Sequence, residues 1–91
     1  MRGSKIIPEE DQEHFWSVVK QCLREFHAAR TPSLLRKMNR LRVKVEKLPL
    51  EGMELFFHSE PFDVACQLAD HPLRVEDHLE RYLSIRDKDI N

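Results

Sequence analysis

The sequence predicts an all-α fold, a compact bundle of four to five short helices. Apolar residues recur at steps of three and four along most of the chain, which is the helical period. The 91 residues include only two glycines, Gly3 and Gly52, too few for the many turns of a β protein. Proline also stands where several helices would begin, at Pro8, Pro32 and Pro61. Together these features favour short helices joined by short connections.

Length and composition predict one domain, at residues 8–86. The chain is 41% apolar and 34% charged, as expected of a small globular domain. We expect residues 1–7 to be a disordered or vector-like N-terminus and residues 87–91 to fray. No apolar run approaches the roughly 18 residues that span a bilayer, and no signal peptide is recognisable. The sequence therefore predicts a cytoplasmic protein without a membrane partner.

A first helix is predicted from about Pro8 to Ala29. Proline followed by three acids, Glu9 to Asp11, suits a helix N-terminus because the helix dipole favours negative charge there. The apolar stripe of this helix covers about 160°. Its members are Phe15, Trp16, Val18, Val19, Cys22, Leu23, Phe26 and Ala29. So wide a stripe predicts contact with two neighbouring helices.

A second helix is predicted to begin at Thr31 and Pro32, the threonine serving as N-cap. One apolar seam then reaches the residue before Pro49, where a helix is expected to end. It consists of Leu34, Met38, Leu41, Val45 and Leu48. The opposite side of this helix is basic, so the helix is amphipathic.

Residues 42–57 also fit a second interpretation. Val43 and Val45 alternate with charged residues, and a β-hairpin could pair them with residues 53–57 across a turn at residues 49–52. That alternative would make the fold α+β. The unbroken spacing through Val45 and Leu48 favours helix instead, followed by a short helix at 49–58 with Leu50, Met53 and Phe57 on one side.

Two further helices complete the predicted bundle. One begins after Ser59 as N-cap and ends at 70–72, and its apolar residues cover so much of its surface that it should be the most buried element. The last runs from about Arg74 to Ile85, with Val75, Leu79, Tyr82 and Leu83 facing inward. The predicted core consists of Phe15, Val19, Leu23, Phe26, Leu34, Met38, Leu41, Val45, Phe62, Ala65, Cys66, Leu79 and Tyr82.

No pattern in the sequence predicts an enzyme, a metal site or a cofactor. The histidines are His14, His27, His58, His71 and His78, and none stands in a paired metal-ligand spacing. Cys22 and Cys66 lie among apolar residues, where a thiol packs and does not react. A phosphate-binding glycine loop is also missing from the sequence. We therefore expect a non-catalytic protein.

Charge is segregated along the chain. Seven basic residues in 30–47 are opposed there by Glu46 alone, giving that window a net charge of +6, whereas residues 48–91 have a net charge of −6. Such a surface either stays solvated, pairs with acids of the last helix such as Asp77, Glu80 and Asp87, or binds an acidic partner. Helix 31–47 could also contact phosphates, although it carries no aromatic residue for base stacking.

The second candidate surface is aromatic, because so small a domain does not easily bury Trp16, Phe56 and Phe57. We therefore predict a protein–protein interaction or regulatory module that binds a protein partner or another copy of itself. The alternative function is a nucleic-acid-binding regulator that uses helix 31–47. The candidate partner surface consists of Trp16, Phe56, Phe57, Arg36, Lys37, Arg40, Lys44 and Lys47.

Overall fold

The computed structural model describes residues 8–28 and 31–88, the last of these by its backbone alone. It contains five α-helices: α1 Glu9–Phe26, α2 Thr31–Glu46, α3 Leu50–Phe57, α4 Pro61–Ala69 and α5 Leu79–Lys88. A 3₁₀ turn, Val75–His78, leads directly into α5. The described residues form no strand, which confirms the all-α prediction. The hairpin alternative for 42–57 is wrong, because α2 and α3 occupy those residues.

The predicted terminal segments fall mostly outside this description. Residues 1–7, and also 89–91, lie outside the described residues, as do Ala29 and Arg30. Asp87, placed in the fraying segment by the sequence, belongs to α5.

Helix α1 is the centre of the bundle. Pro8 precedes its first turn, and the Pro8 carbonyl accepts a hydrogen bond from the Gln12 N–H at 3.1 Å. The helix ends where the His27 N–H donates to the Leu23 carbonyl at 3.0 Å, short of the predicted end. It packs most extensively against α4 and also contacts α2 and α5. Phe15 and Trp16 of the same stripe also contact α3, so the wide stripe meets more than the two predicted neighbours.

Helix α2 buries its seam only as far as Val45. Leu34, Met38 and Val45 are buried and Leu41 is half-buried, but Leu48 is exposed. The helix ends at Glu46, after which the N–H of Leu48 donates to the carbonyl of Val45 in a tighter turn. Leu48 therefore leaves the helical phase that would have directed it inward. The Thr31 hydroxyl, predicted as an N-cap acceptor, donates to the Ala28 carbonyl at 2.9 Å.

The short helix α3 lies against the start of α1 and is half-buried. Met53, Phe56 and Phe57 pack against the core, whereas Leu50, predicted to lie on the same side as Met53 and Phe57, is exposed. Leu50 is the first residue of the helix, directly after the Pro49 connection. It therefore has no preceding helical turn to hold it against α1.

Helix α4 is the most buried element, as predicted. Five of its nine residues are buried, against six of the eighteen residues of α1. Glu60, not the predicted Ser59, is the residue before the helix, and Pro61 is its first residue. The helix stops at Asp70, whose φ of 52° is left-handed, and the His71 N–H donates back to the Cys66 carbonyl at 3.1 Å. This arrangement is a Schellman motif with an aspartate in place of the usual glycine.

The last helix faces the core through Tyr82, not through Leu79. Tyr82 is buried, Val75, Leu83 and Ile85 are half-buried, and Leu79 is 45% exposed, so the predicted inward position of Leu79 is wrong. The reason is the 3₁₀ turn before α5, in which each residue advances about 120° and not 100°. That turn aligns His78 with Val75 and rotates Leu79 outward. His78 accordingly lies 5.0 Å from Phe26, between ring centroids.

One hydrophobic cluster includes most of the predicted core. Phe26 and Leu41 of that prediction are half-buried and pack against the cluster. The largest fully buried side chains are Tyr82, Phe62, Leu23, Leu34, Val18, Val19 and Cys22. The core therefore lies where α1 meets α2, α4 and α5, and it leaves the outer side of α2 free.

Candidate interaction surface

The outer side of α2 carries the predicted basic residues. We define the α2 basic face as Arg36, Lys37, Arg40, Lys44 and Lys47, all of which are exposed. Arg36, Arg40 and Lys44 follow one another at four-residue steps, so that about 6 Å of helix rise separates each from the next. Lys47 continues this line just beyond the last helical turn. The structure thus collects the predicted basic residues on one side of one helix.

Most of this face is electrostatically unsatisfied. Within the described part of the chain, Arg36, Arg40, Lys44 and Lys47 form no ion pair or side-chain hydrogen bond. Lys37 donates from Nζ to a single neutral acceptor, the Leu68 carbonyl, at 3.4 Å. The field of the face is therefore directed at solvent.

The cation of α2 that does form ion pairs is Arg42, which lies off the basic face. Its guanidinium donates to a Glu13 carboxylate oxygen on α1 and lies 3.6 Å from Glu46, one turn along α2. Among the described residues, no basic residue of α2 forms an ion pair with an acid of the last helix, and α2 packs mainly against α1, α3 and α4. Helix α5 contacts α1 instead, and among its acids Asp87 lies 3.8 Å from Arg86 of the same helix.

Exposed aliphatic side chains border the basic face. Val43, one helical turn after Arg40 at the edge of the face, is 50% exposed. Leu48 and Leu50 are also exposed, on either side of Pro49 and just beyond the end of α2. A ligand lying along the face would therefore meet apolar contacts beside the cations and at one end. Sequence reasoning missed this border because it gives Val43 only a possible strand role, assigns Leu48 to the buried seam of the second helix and groups Leu50 with Met53 and Phe57.

The predicted aromatic surface is mainly a cluster inside the fold. Trp16 is only 3% exposed and stacks on Phe56, with ring centroids 5.4 Å apart and an interplanar angle of 27°. Phe15 packs edge-on against Trp16 at 5.4 Å and against Phe57 at 5.1 Å. The structure thus places Trp16 in the core and not on the proposed partner surface. Phe56 and Phe57 are half-buried and join α3 to α1.

A shallow cavity of about 220 Å³ opens beside this cluster. Phe15 and Phe57 line it together with Asp11, Glu54 and His58. Its polar residues lie at the start of α1 and the end of α3, where they face solvent or stay half-exposed. The described residues contain no group of three histidine, cysteine or acidic side chains that could hold a metal ion, here or elsewhere.

The two thiols are core residues with low reactivity. Burial raises the pKa of Cys22 from 9.0 to about 12, and the neighbouring Cys66 adds to this rise. Burial also raises the pKa of Cys66. A nucleophilic cysteine needs the opposite shift, produced by a nearby positive charge or a helix N-terminus. Neither thiol is therefore suited to covalent chemistry near neutral pH.

Polar contacts hold α5 against the bundle. Arg81 donates from Nε to a Glu25 carboxylate oxygen at 2.7 Å, and this hydrogen bond lowers the pKa of Glu25. The Tyr82 hydroxyl donates to Glu60 at 2.7 Å, while burial and this bond raise the tyrosine pKa. These contacts lie on the inner side and flank of α5. They leave its outer side available for other interactions.

Two exposed acids stand at the start of α5. We define the α5 acidic face as Asp77, in the turn just before α5, and Glu80, three residues later on the same side. Leu79, also exposed, directly precedes Glu80. In the described part of the chain, neither Asp77 nor Glu80 forms an ion pair. Nearby Glu76 lies 3.8 Å from Arg74. Because the sequence assigned Leu79 to the core, it did not predict this exposed apolar residue next to Glu80.

Comparisons with known proteins give no family for this chain. No protein-family model, no curated protein sequence and no solved structure matches it. In the described ranges, no helix has the length and apolar character needed to cross a membrane. Function is therefore inferred from the surface itself.

Proposed function

We propose that the protein is a small, cytoplasmic, non-catalytic interaction module that binds an acidic protein surface through the α2 basic face. The observation that carries this proposal is that four exposed cations have no ion pair among the described residues, in a domain whose net charge is only −1. Acids are abundant elsewhere in the chain, yet none of those in residues 8–28 and 31–87 pairs with this face. A partner can supply the missing negative charge.

The aliphatic border favours a protein partner over a simple counterion. Val43, Leu48 and Leu50 offer apolar contact area next to Arg40 and Lys44. An acidic amphipathic helix presents carboxylates at the same four-residue steps as Arg36, Arg40 and Lys44 and can place apolar side chains beside them. Charge would guide such a helix onto α2, and apolar contact would hold it there.

Nucleic-acid binding is the second candidate function, and the same row of cations favours it. Four free cations could each contact a phosphate. In that case, affinity would fall about 10²-fold between about 50 and 200 mM salt. The face carries no aromatic side chain for stacking and offers aliphatic neighbours that phosphates do not use. For these reasons we rank nucleic-acid binding below protein binding.

Two fluorescent probes test the proposal. One is an acidic amphipathic peptide of 16 residues, the length of α2, and the other is a random-sequence DNA duplex. Fluorescence anisotropy measures the binding of each probe at low and moderate salt. We expect the peptide to bind, and Arg40→Glu with Lys44→Glu to weaken it at least about tenfold.

The matched control is Lys20→Glu with Arg24→Glu on α1. It makes the same change in net charge at the same four-residue spacing but leaves α2 intact. Equal weakening by both double variants would mean that only net charge matters, and it would refute a specific role of α2. Lack of peptide binding at low salt would also refute the proposal. Tighter binding of the duplex than of the peptide would make nucleic-acid binding the preferred function.

A further inference from the structure

The chain carries two exposed faces of opposite charge that the fold keeps apart. The α2 basic face has four cations without ion pairs, and the α5 acidic face has two carboxylates without ion pairs in the described residues. Each helix packs against α1, and neither packs extensively against the other. The described residues of one copy therefore do not make the pairing that the segregated charge suggests.

The two faces also match in their apolar content. Val43 lies one helical turn after Arg40 on α2, and the exposed Leu79 directly precedes Glu80 on α5. Each of these aliphatic side chains is about half exposed, at 50% for Val43 and 45% for Leu79. Docking one face on the other would remove both from water while it pairs the charges. Apolar burial and charge neutralisation would thus favour the same contact.

From this complementarity we propose that the acidic surface recognised by α2 is the α5 acidic face of a second copy of the chain. The inference rests on the proposed function, because it names the partner of the α2 basic face. The contact joins different faces of two copies. It therefore closes a dimer when a two-fold axis lets it form twice, and it otherwise extends into chains of copies. Charge complementarity at exposed positions makes the association weak and dependent on salt.

Sedimentation velocity of the whole chain tests this inference at several protein concentrations. At about 50 mM salt we expect the average mass to rise above the monomer mass as concentration increases. At about 500 mM salt, where screening acts over a few ångströms, the rise should be lost. Variants of both faces then show which surfaces meet.

Reversing either face should abolish association. The basic face is reversed by Arg40→Glu with Lys44→Glu, and the acidic face by Asp77→Lys with Glu80→Lys. Each variant alone would place like charges opposite one another. Mixing the two restores association, because the intact acidic face of one variant meets the intact basic face of the other. The Lys20→Glu, Arg24→Glu control should associate as the wild type does. Circular dichroism verifies that every variant is folded.

Several outcomes would overturn the inference. One is a wild-type chain that stays monomeric at low salt and high concentration; another is association that survives reversal of the α5 face. A mixture of the two variants that stays monomeric would overturn it as well. If the wild type is monomeric but still binds the acidic peptide through α2, self-docking fails and the proposed function stands. If the peptide does not bind either, both proposals fail together.

Discussion

Replacing Trp16 with alanine distinguishes a core tryptophan from an interface tryptophan. The sequence placed this residue on a partner surface, whereas the structure buries it to 3% exposure between Phe15 and Phe56. The two positions predict different phenotypes. A core residue contributes to the free energy of unfolding, and an interface residue contributes to association.

The magnitude follows from what Trp16→Ala removes. A buried aromatic side chain takes roughly 150 to 250 Å² out of water, and truncating one to alanine in a core costs about 3 to 5 kcal/mol. The stacked and edge-on ring pairs at 5.4 Å belong to this loss. A domain of this size has a stability of about 5 to 10 kcal/mol, so the variant should be close to unfolding at room temperature. Trp16→Phe keeps one ring and should cost only about 1 to 2 kcal/mol.

Urea denaturation followed by circular dichroism at the helical band measures these changes, because it does not depend on the tryptophan itself. Leu55→Ala is the matched control: Leu55 lies on α3 beside the same cluster but is 73% exposed, and its loss should change stability by less than about 0.5 kcal/mol. A loss below about 1 kcal/mol for Trp16→Ala, similar to that for Leu55→Ala, would refute a core position. Weaker self-association with unchanged stability would show that Trp16 lies in an interface.

Three other substitutions test local features of the fold. Gly52→Ala should raise the free energy of unfolding by about 0.5 to 1 kcal/mol in urea denaturation, because Gly52 lies inside α3. The added Cβ would lie 3.4 Å from the Leu48 Cβ, an ordinary contact distance. A loss of stability would mean that this contact is too tight. Cys22→Ala should flatten the alkaline part of the stability profile, because burial raises the folded-state thiol pKa from 9.0 to about 12. The buried Cys22 thiol contributes fully to the free energy of unfolding below pH 9.0, and this contribution is lost as pH rises toward about 12. The loss is about 1 kcal/mol at about pH 10, and urea midpoints under reducing conditions can measure it. Glu25→Gln should reduce the loss of stability at acid pH. The Arg81 hydrogen bond lowers the pKa of Glu25 in the folded state, so the Glu25 carboxylate stabilises the fold above its unfolded pKa of 4.5. This stabilisation is lost as pH falls below that value. Thermal unfolding at about pH 7 and about pH 3 would show the difference, and an unchanged pH dependence in Glu25→Gln would contradict the role of that bond.

The helices could be predicted from the sequence because their signals are local. Proline with neighbouring acids sets the start of α1, and spacing of three and four residues sets which residues of α1, α2 and α4 are buried. The wrongly predicted buried positions lie where the helical period changes. A 3₁₀ turn before α5 displaces Leu79, and the end of α2 at Glu46 displaces Leu48. A change of helical phase over one turn leaves no clear mark in hydrophobic spacing.

Of the candidate partner surface, only the basic residues of α2 were correctly predicted to be exposed. Arg36, Arg40 and Lys44 could be placed on one exposed side from their spacing alone. Trp16 could not be assigned to core or surface, because the width of an apolar stripe does not show whether a further helix covers its edge. Helix α3 does so through Phe56. The matching acidic face on α5 was missed for the same reason that Leu79 was misplaced.

The basic row on α2 needs an explanation beyond folding. Like charges four residues apart on a helix repel, and each such pair costs a helix about 0.2 to 0.5 kcal/mol. Arg36 with Arg40, and Arg40 with Lys44, form two such pairs, and no described ion pair offsets them. Arg42 shows that α2 can satisfy a cation where the fold benefits, since it pairs with both Glu13 and Glu46. The unpaired row slightly opposes the helix that carries it, and an acidic surface docked on α2 would reverse that effect. Folding accounts for Arg42, and the proposed binding function would account for Arg36, Arg40 and Lys44.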